Sequence, residues 1–316
     1  VTPSTVVWSG LAGDGDWYNS GNWRDNAVPG ANDNAVIATR DTVIVRSDSP
    51  VLRIHDVILV DGEGLAAPIL LISTGVISSG NWIIYKNATL TQNITEQIVV
   101  GALTMYPGSV LSHTTNTNTR QYVVNLRTLN DFTLMTGASI TVDGLGYSGG
   151  SGIVDGYGPG KGTQASFNAS GAGHGGQGGN SYKDLALGGS AYDFLVNPVD
   201  LGSGGAGNNN AIGGSGGGAV ILTVGGTTTL DGLISANGNG GTGNYSGGGA
   251  GGTIHINSVN LNGTGALRVN GGNGNSTAGG GAGGRIAVNT SSSNNSDLNM
   301  TANSARGNSV YAGAGT

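Results

Sequence analysis

The stretch GGGAGGTIHI at positions 247–256 is repeated as GGGAGGRIAV at positions 279–288, an offset of 32 residues. A looser copy occupies positions 216–221, about one repeat earlier. In each copy a glycine run leads into a short segment rich in β-branched and aliphatic residues. A fixed period of this length is typical of repeat proteins, in which each unit contacts only its neighbours. The repeat therefore predicts a fold of stacked units.

A second short strand in each repeat ends at an Asx residue. These aligned residues are Asp143, Asn237, Asn270 and Asn303. Asn and Asp tolerate left-handed backbone and bond to nearby backbone groups, which suits a tight corner. We expect them to form a ladder along one corner of neighbouring coils. A second set of Asx residues near the start of this strand predicts another ladder, formed by Asp231, Asn262 and Asn299.

Short runs of Val, Ile and Leu between turn residues also fill the first part of the chain, for example 42–45, 57–60 and 98–100. Such runs predict strands, and no window has a helical period. We therefore predict an all-β fold of the β-solenoid or parallel β-helix-like kind with a glycine-rich insertion. The alternative is a β-sandwich or jelly roll joined to a region of polyglycine-II-like helices.

Glycine is distributed unevenly along the chain. Of 63 glycines, 13 lie in residues 1–144 and 50 in residues 145–316. We predict an N-terminal cap with β-strand coils over 1–144 and a glycine-rich repeat module over 145–316. Residues 145–218 interrupt the repeat and are predicted to be an insertion.

Composition excludes several classes of partner. Charged residues make up 9% of the chain and the net charge is −6, so clustered basic residues for nucleic acid are missing. Cysteine is absent, which removes disulfides and thiolate metal sites. No apolar run reaches the roughly 20 residues of a membrane span, so no membrane insertion is expected.

The N-terminal stretch WSGLAGDGDWYNSGNWRDNAVPGANDNAVI, residues 8–37, resembles the entry motif of secreted bacterial solenoid proteins such as autotransporter passengers and large adhesins. Physically, Trp8, Trp17 and Trp23 would cover the open end of an apolar core. A turn is predicted at positions 29–30, and Asp33 would bond to neighbouring backbone.

The second part is similar to glycine-rich modules of large extracellular surface proteins. The similar strings are HGGQGG at 174–179, GGSAY at 188–192, LGSGG at 201–205, ISANG at 234–238 and GGGAGGRI at 279–286. The resemblance implies an extracellular or cell-surface location and a structural or adhesive role. It brings no catalytic residue with it.

Catalytic and metal-binding patterns are weak in this sequence. The four histidines, His55, His113, His174 and His255, lie far apart, and none has a second histidine at ligand spacing. The best candidate for polysaccharide chemistry is Lys183 with Asp184 beside Tyr182. We predict no enzyme activity, no metal and no cofactor.

The insertion contains aromatic residues that are the remaining candidates for recognition. They are Tyr147, Tyr157, Tyr182 and Tyr192, together with His174. Tyrosines on a loop of low charge can stack on sugar faces and hydrogen-bond through their hydroxyls. The competing interpretation is that these rings fill a small core under a long loop.

Three functions are therefore open. The first is an extracellular structural or adhesive surface protein, including a self-assembling filament subunit. The second is a carbohydrate-binding module that recognises surface glycans, and the third is a polysaccharide lyase or glycosidase. Self-association is expected head to tail, through extended terminal arms at residues 1–7 and 308–316.

Overall fold

The computed structural model describes residues 2–61, 67–307 and 312–316. This part of the chain is almost entirely β and contains no α-helix. Its helical turns are short 3-10 segments, at Ser20–Asn22, Arg24–Asn26 and Tyr182–Asp184. The prediction of an all-β chain is confirmed. Branched and aliphatic residues favour strands because their side chains pack well on a pleated surface.

Parallel strands stack in three ladders. The first contains β1 (Ser4–Val7), β2 (Asp33–Ile37), β5 (Asp56–Leu59), β8 (Asn81–Ile84), β11 (Ala102–Met105) and β14 (Phe132–Leu134). The second contains β3 (Thr42–Val45), β6 (Ile69–Ile72), β9 (Thr89–Gln92), β12 (Val110–His113), β15 (Ser139–Thr141), β19 (Leu233–Ser235), β21 (Ala266–Arg268) and β23 (Asn299–Thr301). The third contains β4 (Leu52–Ile54), β7 (Val76–Ser78), β10 (Ile98–Val100) and β13 (Val124–Thr128).

Three long strands extend the first and third ladders together. They are β18 (Ala219–Leu230), β20 (Thr253–Gly263) and β22 (Arg285–Ser296). The insertion adds only a short antiparallel pair, β16 (Gln164–Ala165) and β17 (Asn168–Ala169).

The chain visits the ladders in a fixed order. It runs from β2 to β3 to β4, then begins the next level at β5. Every pairing within the three ladders is parallel, so successive levels stack in the same direction. The arrangement is solenoid-like, with large parallel sheets that curl around a common core. Sandwiches and jelly rolls are antiparallel folds, so this pairing disfavours that alternative.

Alternating side chains fill the interior of the curled sheets. Strands such as Thr42–Val45 alternate between outward and fully buried positions. The largest buried side chains include Trp82 and Phe132, which are at most 1% exposed. Burying such a side chain stabilises the fold by about 1.5–3 kcal/mol.

The N-terminal end of the core is covered by three tryptophans, as the sequence predicts. Trp8, Trp17 and Trp23 are at most 2% exposed. Trp23 contacts both other rings edge to face, at centroid distances of 5.0 and 4.9 Å. Its indole N–H donates to the carbonyl of Trp17 over 2.7 Å. The Asp33 carboxylate accepts the amide of Gly30 at 2.8 Å, which fixes the predicted turn.

The sheets and the core run through position 144 without a break. β14 and β15 pair directly with β18 and β19 across the insertion. One apolar cluster extends from Trp8 to Val269. Residues 145–218 lie between β15 and β18, at the corner where the chain passes from the second ladder to the third.

The predicted Asx ladder is confirmed. Asp143 accepts the amide of Asn237 at 2.6 Å, and Asn237 accepts the amide of Asn270 at 2.8 Å. Asn270 in turn accepts the amide of Asn303 at 2.8 Å. Each side chain thus bonds the backbone of the next level, so the corner is tied along the whole repeat module.

The second predicted ladder is wrong. Asp231 bonds the amide of Thr264, whereas Asn262 pairs with Thr229. Asn299 lies inside β23 and pairs with Ala266. Backbone bulges shift the register within the long strands, at Val224/Thr227 and again at Ser258/Asn260. The bulges move the pairing by one residue, whereas Asn262 lies two residues before Thr264 and Asn299 pairs two residues after it, so the three Asx residues occupy different positions of the coil.

Glycine-rich segments form a second layer beside the ladders, here called the glycine bundle. Its segments are 146–150, 156–162, 171–179, 202–207, 213–218, 236–241, 247–252, 269–274, 279–284, 302–307 and 313–316. They come from the insertion and from the links between later strands. The insertion therefore packs against the loops of the following repeats.

Segment 247–252 lies at the centre of the bundle and has a period of three residues. Its successive amides donate to Ala206, Gly279 and Asn239, then to Ser203, Ala282 and Ala236. Its carbonyls accept from three further segments, 213–218, 171–179 and 269–274. Three residues per turn is the repeat of polyproline II. The central segment is thus bonded to six neighbours, which agrees with the polyglycine-II-like packing considered from the sequence.

The expectation of a free C-terminal arm at 308–316 is wrong for the described part. Residues 308–311 lie outside the described residues. Gly313 donates to Gln177 at 2.7 Å, and Gly315 donates to Ala302 at 2.7 Å. Thr316 accepts the amide of Ile286 at 2.7 Å. These bonds hold 312–316 in the glycine bundle of its own chain. At the other end, Ser4–Val7 is not a free arm either, because it forms β1 on β2.

Replacing Asn237 or Asn270 by Leu is expected to lower the free energy of unfolding by about 1–3 kcal/mol. The amide of the next level loses its acceptor, and the corner loses its Asx residue. Asn81→Leu, at an exposed position of a strand paired on both sides, is the matched control and should change it by less than about 0.5 kcal/mol. Equal losses at all three positions in denaturant titrations would contradict a special role for the ladder.

Candidate functional site

Three of the aromatic candidates from the insertion lie together beside the ladders. The Tyr147 hydroxyl donates to Asp200 Oδ1 at 3.1 Å. The Tyr192 hydroxyl donates to the carbonyl of Leu201 and accepts from Ser203 Oγ at 2.8 Å. Burial, assisted by the nearby Asp200 carboxylate, raises the pKa of both tyrosines. Both hydroxyls are therefore held neutral and used within the chain.

His174 is buried where the insertion meets the central glycine segment. Its Nδ1 donates to the carbonyl of Gly251 at 2.7 Å, and its ring packs on Tyr192 at 4.6 Å. Its Nε2 lies 3.6 Å from Asp193 Oδ2, with the two side chains 0% and 2% exposed. Backbone amides donate to the neighbouring carbonyls of the central segment, and at Gly251 the His174 imidazole is the donor instead.

Asp193 holds the next loop in a fixed shape. Burial raises its pKa, but His174 and three amides outweigh that and lower it to about 2. The amides belong to Phe194, Val199 and Asp200, each 2.8–2.9 Å from a carboxylate oxygen. An ionised carboxylate accepting several amides is a strong, charge-assisted clamp.

The clamped loop, residues 194–199, points apolar side chains outward. Phe194, Leu195 and Val196 are 72%, 65% and 64% exposed. Arg285 Nε donates to the carbonyl of Tyr192 at 2.8 Å, which ties the base of the loop to β22. We call residues 194–199 the apolar loop.

The other two candidates lie apart from this network or at its margin. Tyr157 packs on a small cluster that contains Tyr147 and Leu201. Tyr182 is 44% exposed, with the Lys183 ammonium 5.3 Å from its ring centroid. The side chain of Asp184 is outside the described residues. The structure thus brings together Tyr147, His174 and Tyr192 with Tyr157 at the edge, and leaves Tyr182 separate.

A second aromatic site was missed from the sequence. Tyr85 and Tyr106 follow β8 and β11 and stack at a centroid distance of 4.7 Å. They line an apolar surface cavity of about 420 Å³ with Val60 and Pro107, and Asp61 and Lys86 supply its charges. We call this the tyrosine corner. The 21-residue spacing of the two tyrosines, one level of the first ladder, was the available signal.

The described residues contain neither a cluster of metal ligands nor a membrane-spanning helix. Within residues 2–61, 67–307 and 312–316, His, Asp and Glu side chains form no group of three or more that could hold a metal ion. None of the helical segments in that same part of the chain is long and apolar enough to span a membrane.

Comparisons with family models, curated proteins and solved structures gave no match to this chain. Its function is therefore inferred from its own residues.

A buried histidine also joins the second ladder to β18, the strand that follows the insertion. His113, 2% exposed at the end of β12, donates through Nδ1 to the carbonyl of Thr114 at 2.8 Å. Its Nε2 accepts the amide of Ala219, the first residue of β18, at 3.3 Å. Burial lowers the pKa of His113 to about 4, from an ordinary 6.5.

We expect the free energy of unfolding to fall as the pH drops from about 6.5 to about 4. His113 accounts for about 3 kcal/mol of this fall, because its pKa is lower in the folded chain than in the unfolded chain. Over that range the unfolded chain binds a proton at His113 and the folded chain does not. His113→Gln should flatten this part of the pH dependence of the melting temperature. His55→Gln, at a partly exposed histidine, should leave it in place. An unchanged profile in His113→Gln would contradict the assignment.

Proposed function

We propose that this chain is a non-catalytic structural and adhesive module of an extracellular or cell-surface protein. Two bonded layers support the structural part. The parallel ladders share one core, and the glycine bundle adds a lattice of backbone hydrogen bonds beside them. The hydroxyls of Tyr147 and Tyr192 and the Nδ1 of His174 are used inside the chain, so these three side chains act as ties between the layers.

The apolar loop is the observation that carries the adhesive part. Three consecutive bulky side chains stand in solvent on a backbone that Asp193 clamps. Exposed apolar side chains contribute to binding when they are covered. A loop already held in one shape loses little conformational entropy on contact, which strengthens binding. Residues 194–199 include no charged side chain, so the loop suits contact with an apolar surface.

Adhesion should therefore depend on the apolar loop. The triple variant Phe194→Ser, Leu195→Ser, Val196→Ser should weaken binding to an alkyl-terminated surface by about tenfold or more, measured by quartz-crystal microbalance. Asp193 is kept, so the clamp remains. The control Ile77→Ser changes an outward residue of the third ladder that is 48% exposed. Equal binding by the triple variant and the control would reject the loop as the contact.

The tyrosine corner favours a second function, carbohydrate binding. Its cavity combines two aromatic rings with a carboxylate and an ammonium group. Sites that bind small ligands are concave and largely apolar, with a few polar groups that orient the ligand. A polysaccharide lyase or glycosidase has no comparable support. Its best sequence candidate, Lys183, sits over the Tyr182 ring in a surface turn.

A glycan microarray tests the second function. If the intact chain binds a sugar at the tyrosine corner, Tyr85→Ala or Tyr106→Ala should reduce the signal by about tenfold. Tyr182→Ala is the matched control, because this exposed tyrosine belongs to the insertion. Loss in Tyr182→Ala with retention in the corner variants would move recognition to the insertion. No binding of any sugar would remove the second function.

A further inference from the structure

The two ends of the core differ in how they are covered. Along one inward column of the second ladder, Ile140, Ile234 and Leu267 are at most 1% exposed, whereas Met300 is 54% exposed. The column is continuous, so Met300 occupies a core position. No described residue forms a further level over it. At the opposite end, three tryptophans cover the core.

The last level also has an open backbone edge. Among the described strands, β23 pairs only with β21 and β22 only with β20. Thr316 bonds to Ile286 near the start of β22, and residues 293–296 at its end remain an edge. An exposed edge strand offers unpaired amides and carbonyls to another strand.

The matching edge lies at the other end of the same ladder. β1 is the first strand of the first ladder and pairs on one side with β2. Residues 293–296 form the last level of that ladder. Every strand between them is parallel, so a second copy shifted along the axis presents its β1 to residues 293–296 with the correct polarity. The second copy reaches this position by a translation along the solenoid axis combined with a rotation that follows the twist of the solenoid.

Charge and apolar contacts are complementary between these ends. Residues 8–33 contain four Asp and one Arg, whereas residues 266–307 contain three Arg and one Asp. Arg285 is buried, so Arg268 and Arg306 are the arginines exposed at this end. Leu11, in the tryptophan cap, is 86% exposed. An acidic end with an exposed leucine thus faces an end with two exposed arginines, one exposed aspartate and an exposed methionine. Opposite charges at an interface fix its orientation and suppress like-to-like contacts.

We infer that the occupant of the open end is a second copy of this chain. Its β1 adds to residues 293–296, and its tryptophan cap covers Met300. The contact is heterologous, because different surfaces of the two copies meet, so it leaves one free end of each kind. Such a contact propagates into a filament when the rotation between successive copies does not close a ring. The inference deepens the structural part of the proposed function and is independent of the apolar loop and the tyrosine corner.

Sedimentation velocity over a range of concentrations, with negative-stain microscopy, tests this on the full chain. The intact chain is expected to form head-to-tail oligomers. Met300→Asp should weaken association by about tenfold or more, because it places a charge in the covered core end. Ile77→Asp is the matched control, since Ile77 is similarly exposed but lies on β7, which is paired on both sides by β4 and β10. Melting curves establish that each variant is folded.

A second variant, Leu11→Asp, changes the other partner surface and should weaken association in the same direction. A chain that stays monomeric at the highest concentration overturns the inference, as does equal association by Met300→Asp and Ile77→Asp. Adhesion is measured separately on the alkyl-terminated surface. Adhesion without assembly would reject the head-to-tail contact alone, and assembly without adhesion would reject the apolar loop alone.

Discussion

Backbone carbonyls in the glycine bundle approach the α-carbons of neighbouring segments so closely that a β-carbon does not fit between them. A β-carbon at Gly248 would collide with the carbonyl of Gly272, and one at Gly251 with the carbonyl of Val269. This close approach lets each segment bond to several neighbours at once. The high glycine content of residues 145–316 follows from that contact. Alanine is accepted where there is space, as at the buried Ala250 and Ala282.

The bundle depends on the ladders for its position. The ladders set the spacing of successive levels, and the links 236–252 and 269–284 carry that spacing into the bundle. The insertion then fits against these links through the ties at His174 and Asp193. Solitary glycine segments would lose much conformational entropy on ordering. Shared hydrogen bonds with segments already anchored by strands offset that loss.

Function on such a scaffold lies where side chains are not used to hold it. The apolar loop, the tyrosine corner and Met300 at the end of the core are such features. The apolar loop lies against β22 at the last level, through Arg285 and Asn289, whereas the tyrosine corner follows β8 and β11 on the first ladder.

The sequence by itself determined the fold class, the tryptophan cap and the Asn237–Asn270 ladder, because each rests on local chemistry repeated at a fixed period. Strand formation needs only alternating branched residues, and an Asx corner needs only its own side chain and the next amide. Tertiary structure decided the register at Asp231, Asn262 and Asn299, because strand pairing places these similar side chains at different positions of successive coils. It also decided that Tyr147 and Tyr192 are internal ties while Tyr85 and Tyr106 meet on the surface. Those contacts join residues from different levels, and their proximity arises only when the coils stack.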